Sequence, residues 1–232
     1  MYILEGNIGA GKSTFLKMIA QQMLDVSVAL EPLHNWQSAV YGQSLLSNFY
    51  QNPQRWAYTM ETLAMMCRVH EHLKDQASDN QQLIVERSIY SGHYCFAMNG
   101  YANGFMTDIE WQMYTALFNF LIPNHCLAPQ GFIYLQVDPQ VAHTRIKKRN
   151  RLAEKDITLS YLKDIEACHA QFLINKQAVL PELVDIPVLI LDCNQEFEQD
   201  SVKFKEHCEQ ISLFMATTQA PKNFTQSPRV EL

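Results

Sequence analysis

The sequence predicts an α/β fold, a five-stranded parallel sheet with helices on both faces. The first observation is Gly6-Asn7-Ile8-Gly9-Ala10-Gly11-Lys12-Ser13-Thr14, which fits the phosphate-binding pattern G-x-x-x-x-G-K-[ST]. The apolar run Met1-Tyr2-Ile3-Leu4 precedes it, and Phe15, Leu16, Ile19 and Met23 follow at helical spacing. Strand, glycine loop and helix in that order is the setting the motif requires. The second observation is a series of short apolar runs separated by helix-length segments, the signature of a parallel sheet covered on both faces. The third is that polar residues follow those runs directly, where ligands bind in such sheets. Together these specify a P-loop NTPase fold.

Each element has its own warrant. Glycines bend the loop so that backbone N–H groups converge on an anion, and the following helix adds its positive end. Lys12 is expected to reach the outer phosphates and Ser13 to take Mg2+. Residues 26–30 read as a second strand closed by Glu31-Pro32, and residues 33–50 are mixed. Asn52-Pro53 opens a helix to about His72, with Trp56, Met60, Leu63 and Cys67 on one stripe. Residues 83–85 form a third strand, followed by Glu86-Arg87-Ser88. A largely apolar helix covers 111–121. Residues 132–137 form a fourth strand, and Asp138-Pro139 starts a helix that turns basic. Residues 188–192 form a fifth strand, and a last helix spans about 199–215. The expected domain is 1–215; residues 216–232, rich in Pro, Thr, Gln and Ser, read as a disordered tail.

Composition narrows the partners. A formal net charge of -6 argues against a nucleic-acid polymer, and 47% hydrophobic residues in a chain of 232 suit one sizeable core. Cys67, Cys95, Cys126, Cys168, Cys193 and Cys208 show no CxxC pair, which suits reduced thiols in a cytoplasmic compartment. Neither a leader nor a membrane-length apolar run is read from the sequence.

Three constellations carry chemistry. Glu31 closes an apolar strand, so it is the first candidate for general base on a hydroxyl acceptor; a solvated strand-end glutamate is the alternative. Glu86 can hold Mg2+ through water and Arg87 can reach a phosphoryl oxygen; a surface ion pair is the alternative. Glu86 remains open as a second candidate for proton acceptor. Arg145, Lys147, Lys148, Arg149 and Arg151 are five cations in seven residues, read as a lid over ATP in preference to a solvated face.

With these motifs in view the chain resembles the deoxyribonucleoside kinases of the deoxycytidine/deoxyguanosine kinase type, from about residue 2 to 215. The matching residues are the loop Gly6 to Thr14, Glu31-Pro32 with Trp36, Tyr50 with Pro53 and Trp56, and Glu86-Arg87-Ser88 running into Tyr90-Ser91 and Tyr94-Cys95-Phe96. Arg149-Asn150-Arg151 with Glu154 fits the family's R-x-R-x-x-E lid. The resemblance implies strand order 2-3-1-4-5 and ATP-dependent 5′-phosphorylation of a deoxynucleoside with Mg2+ at Ser13 and Glu86. It implies Glu31 as base with Arg87 beside it, Tyr50 and Glu154 on the sugar 3′-hydroxyl, and Trp36 and Phe96 flanking the nucleobase. It also implies a lid of Arg145, Arg149, Asn150 and Arg151 over ATP, and a homodimer through helices like the one holding Trp111, Tyr114, Leu117, Phe118 and Leu121.

The sequence departs from the pattern at Glu61, where the family usually has glutamine. Ionised glutamate only accepts hydrogen bonds, and guanine presents two adjacent donors. Arg68, two helical turns along, faces the same pocket and suits guanine O6 and N7. Ala64 and Gly92 leave room for the larger ring. The expected preference is therefore purine, deoxyguanosine first, against a simple Glu61–Arg68 ion pair. A nucleoside monophosphate kinase, a broad-specificity or pyrimidine deoxynucleoside kinase, and a non-catalytic nucleotide-binding regulator are the rival readings.

Overall fold

A computed structural model describes residues 1–31, 44–78, 82–198 and 200–218. Five strands, β1 (Tyr2–Gly6), β2 (Ser27–Ala29), β3 (Leu83–Glu86), β4 (Gly131–Gln136) and β5 (Val188–Asp192), form one sheet in the order β2-β3-β1-β4-β5. Every pairing is parallel, with Leu4 opposite both Glu86 and Ile133. The expected fold class and strand order are those found. Side chains on a strand alternate between faces. Here one face buries Ile3, Val85, Phe132 and Tyr134, and the other buries Tyr2, Leu4, Ile84, Ile133 and Leu135. Both faces are apolar because both are covered, and each fully buried large side chain stabilises by about 1.5–3 kcal/mol.

The helices are α1 (Lys12–Gln22), α2 (Leu45–Gln51), α3 (Pro53–Gln76), α4, α5 (Asp108–His125), α6 (Pro139–Arg149), α7 (Leu159–His169), α8 (Pro181–Val184) and α9 (Ser201–Thr218). Here α4 denotes one helical run made of Ile89–Ser91, a π-helical Gly92–Ala97 and Met98–Ala102. Phe15, Leu16 and Ile19 of α1 and Phe204, Cys208 and Ile211 of α9 cover one face; α3, α4 and α5 cover the other. Caps set several boundaries. Asn52 and Asp138 each precede a proline at the helix start and accept from Arg55 N and Gln140 N. Thr107 and Glu110 form a reciprocal capping box on α5.

Several expectations are corrected. The helix opening at Pro53 runs to Gln76, and its buried line is Ala57, Met60, Glu61, Ala64, Met65, Val69 and His72. Leu63 is 38% exposed, so the inward face is rotated from the expected stripe and takes in Glu61. Local hydrophobicity alone does not bury a carboxylate; the walls of the cleft do. The segment read as mixed contains α2, and α4 and α7 had no counterpart in the sequence reading. The last helix continues to Thr218, past the expected boundary at 215. Trp36 lies outside the described residues, as does the expected tail from 219 onward.

Candidate active site

The loop between β1 and α1 is shaped by left-handed glycines. Gly9 has φ +82, and a Cβ there would lie 2.5 Å from the Ala142 carbonyl; Gly11, the α1 N-cap, has φ +92. An L-residue at Gly9 meets both strain and collision, so the turn requires glycine there; within the loop the Ile8 amide donates to Asn7 Oδ1 at 2.8 Å and the Ala10 amide to Asn7 O at 3.2 Å. Lys12 Nζ donates to the carbonyls of Gly6 and Asn7, 2.9 Å each. Burial, with Arg87 adding, pushes its pKa down to about 7, so a polyphosphate brought to the loop would favour its charged form. Asn7 is turned inward, its amide donating to the Leu162 carbonyl and to Glu166, and Ala10 is fully buried. These two residues build the loop from within.

The strand ends bring four polar groups together. Ser13 Oγ donates to Glu86 Oε1 at 2.6 Å, and Glu86 Oε2 accepts from the Glu31 backbone N at 3.3 Å. Glu31 Oε1 lies 2.7 Å from Arg68 Nη2, and Oε2 lies 3.5 Å from Arg87 Nε. Burial pushes the Glu31 carboxyl up, but the Arg68 and Arg87 guanidiniums together outweigh it and hold the group below the usual carboxylate range. It is ionised at neutral pH. Arg87 itself is a non-glycine residue at φ +62, a conformation costing about 1–2 kcal/mol. Its N–H to Leu4 O (2.9 Å), a guanidinium bond to Gly6 O (3.3 Å) and a position 4.6 Å over the Phe96 ring hold it there. Ser88 follows, bonded to the buried Glu5 at 2.5 Å.

Ser13, Glu31, Arg68, Glu86 and Arg87 line a cleft of about 760 Å³ together with Tyr50, Glu61, Ala64, Phe96, Glu154 and Tyr161. Glu154 accepts from Arg149 at 2.6 Å and from Arg151 at 3.4 Å, which ties the basic segment to the cleft wall. Burial, and then Glu154 and Glu61, raise the Tyr50 phenol, so it remains a neutral donor. Glu61 is 7% exposed and has no hydrogen-bond or ion-pair partner among the described residues. Burial raises its carboxyl to about 7; Arg68 and Arg87 pull it down and Glu31 pushes it up. The Glu61–Arg68 ion pair considered from the sequence is not formed, because Arg68 turns to Glu31.

A second cleft, about 870 Å³, is lined by Gly9, Gly11, Thr14, Arg145, Arg149 and Phe197, with Lys148, Glu196 and Glu198. Gly9 and Arg149 line both clefts, so the two meet across the glycine loop. Arg145 donates to the carbonyls of Asn194 and Gln195 and pairs with Glu196 at 3.4 Å, pinning the segment after β5. Phe197 is anchored edge-on to Phe15 at 5.3 Å. The sequence reading missed Phe197 and Tyr161. A signal existed for Phe197, which follows the carboxyl end of β5 as Glu31 follows β2.

Two expected ligands stand elsewhere. Asn150 is the left-handed C-cap of α6 and lines neither of these two clefts. Gly92 does not line the 760 Å³ cleft; a Cβ there would lie 2.7 Å from Arg68 Nη1, so its missing side chain makes room for the guanidinium. Among the described residues no group of three or more His, Cys, Asp or Glu is placed to hold a metal.

A family model described as deoxynucleoside kinase matches residues 2–216. The chain is 31% identical to deoxycytidine kinase 2 of Gallus gallus, over 92% of this chain and 89% of that one. It is 32% identical to the mitochondrial deoxyguanosine kinase of Xenopus laevis, over 92% and 88%. It is 31% identical to the mitochondrial thymidine kinase 2 of Homo sapiens, over 90% and 76%. Relatives named for three different bases are thus equally similar, and overall identity does not select among them.

Proposed function

Because the chain belongs to the deoxynucleoside kinase family, we propose that this phosphotransferase moves the γ-phosphoryl group of ATP to the 5′-hydroxyl of a deoxynucleoside, with deoxyguanosine preferred. The observation that carries the reaction is the ionised Glu31 held between Arg68 and Arg87 beside the Ser13–Glu86 pair. Glu31 accepts the hydroxyl proton as the oxygen attacks, and Arg87 neutralises charge on the moving phosphoryl group. Glu86 is the second candidate for that acceptor. Lys12 and the loop amides hold the donor phosphates, and Arg149 and Arg151 approach from the lid.

The oxygens of Ser13 and Glu86, 2.6 Å apart at the start of α1, suit Mg2+, which takes few protein ligands and keeps its waters. When bound it would neutralise phosphate charge. The second cleft suits the donor base, with Phe197 and Arg145 as its apolar and cationic walls. Tyr50 and Glu154 suit the sugar 3′-hydroxyl. A buried Glu61 with no hydrogen-bond or ion-pair partner among the described residues, beside the donor Arg68, favours guanine, whose N1–H and 2-amino group give two donors to one carboxylate.

A homodimer belongs to the same reading. Helix α5 buries Tyr114, Phe118 and Ile122 but exposes Ile109 (70%), Met113 (53%) and Phe120 (62%), an apolar surface that a second copy would cover. A cytoplasmic location rests on charge and cysteine usage. No helix among the described residues is long and apolar enough to cross a membrane.

The test is transfer of labelled phosphate from ATP, with Mg2+, to four deoxynucleosides and to their monophosphates. Labelled deoxyguanosine monophosphate formed fastest supports the reading. Labelling of the monophosphates would favour a monophosphate kinase, and no labelling at all would leave a nucleotide-binding regulator.

A further inference from the structure

The base-reading part of the cleft combines a carboxyl group and a guanidinium that do not bond to each other. Glu61 sits mid-way along α3, 7% exposed, facing the cleft without a hydrogen-bond or ion-pair partner among the described residues. The ionisable groups around it come from several elements: Arg68 on its own helix, Glu31 and Arg87 at the ends of β2 and β3, Tyr50 from α2, Tyr114 from α5 and Tyr161 from α7. Two cations pull toward the charged form. Burial and one carboxylate push toward the neutral form.

A carboxyl group so placed is two different readers. Ionised, it offers acceptors only and matches the two adjacent donors of guanine. Protonated, it offers one O–H donor beside one carbonyl acceptor, the arrangement of a carboxamide. That pair matches cytosine, with N3 accepting and the 4-amino group donating, and equally adenine at N1 and the 6-amino group. We propose that the protonation state of Glu61 selects the nucleobase, so that one active site takes guanine when Glu61 is ionised and cytosine or adenine when it carries a proton.

This rests on the nucleoside-kinase reading and deepens it. The balance of burial against Arg68 and Arg87 puts the change at about pH 7, within the working range. No proton is transferred to the nucleoside; the carboxyl exchanges it with solvent before binding. The Arg68 guanidinium, 2.7 Å from Glu31, is a fixed donor in both states and does not itself switch.

The test is the ratio of kcat/KM for deoxyguanosine to that for deoxycytidine, measured from about pH 6 to about pH 8 in the wild-type enzyme and in Glu61→Gln. Ionisations that affect both substrates alike, at Lys12 or Glu31, cancel in the ratio. The expected wild-type ratio rises at least about tenfold over that range, while the Glu61→Gln ratio changes less than about twofold. A flat wild-type ratio, or the same slope in Glu61→Gln, overturns the proposal.

Calorimetry of the wild-type protein without ATP, in buffers of different ionisation enthalpy, keeps the proposal testable if the variant folds poorly. At about pH 7, deoxyguanosine binding should release about half a proton and deoxycytidine binding should take up about half. Proton exchange of the same sign for both nucleosides refutes the switch. Absence of phosphorylation with any nucleoside would refute the kinase reading itself. Phosphorylation with a pH-independent ranking would refute only the switch.

Discussion

Replacing Glu61 by glutamine turns a titrating buried group into a neutral one of the same shape, and the effect on stability follows from its surroundings. Burial lifts the carboxyl from its ordinary 4.5 to about 7, against the pull of Arg68 and Arg87. Between those values the folded chain holds the proton and the unfolded chain does not, so stability falls as pH rises. The contribution is whole below about 4.5 and is lost as pH rises through about 7. At 1.36 kcal/mol per unit the interval is worth about 3 kcal/mol, of which about 2.5 kcal/mol falls between pH 5 and pH 8. Glutamine does not titrate, so the difference in unfolding free energy should move in favour of Glu61→Gln by that amount across the range. Urea denaturation at intervals between about pH 5 and about pH 8, with nucleoside absent, measures it directly. Parallel stability profiles for wild type and variant would mean that water or a cation already satisfies the Glu61 carboxylate, and the reasoning would fail.

Glu31→Gln should lower kcat by at least about a hundredfold with little change in nucleoside affinity, because the carboxylate acts as charge develops; near-wild-type turnover would transfer the role to Glu86. A 3′-deoxy nucleoside should lose about 10–100-fold in kcat/KM, since Tyr50 would be left without its partner while Glu154 keeps Arg149 at 2.6 Å; equal use of both sugars would refute the contact. Arg145→Ala should raise KM for ATP about tenfold and leave nucleoside affinity unchanged, because it frees the segment bearing Phe197; the opposite split would remove the second cleft as donor site. Met113→Glu on the exposed face of α5 should give a monomer by light scattering at micromolar concentration, with wild type a dimer; a monomeric wild type would remove the proposed interface.

Much of the fold was legible because it rests on local and repeating signals. The glycine spacing from Gly6 to Gly11, the apolar runs at residues 83–85, 132–137 and 188–192, and Asn52-Pro53 and Asp138-Pro139 each predict structure from a few neighbouring residues. The same holds for Glu31, Glu86 and Arg87, which sit at carboxyl ends of parallel strands and therefore line the cleft. The π-helical turn after Ser91 and the rotation of α3 that buries Glu61 and exposes Leu63 have no such local signal.

The sequence by itself determined the sheet, the glycine-rich loop after β1 and the list of charged residues available for chemistry. Only the tertiary structure decided how those charges are paired: Arg68 with Glu31, Arg149 with Glu154, Arg145 with the segment after β5, and Glu61 with none of the described residues. The physical reason is range. A strand or a glycine turn is specified by sterics between neighbours in the chain. An ion pair and the desolvation of a carboxyl group depend on atoms that are distant in sequence and meet only when the sheet and its helices have closed around them.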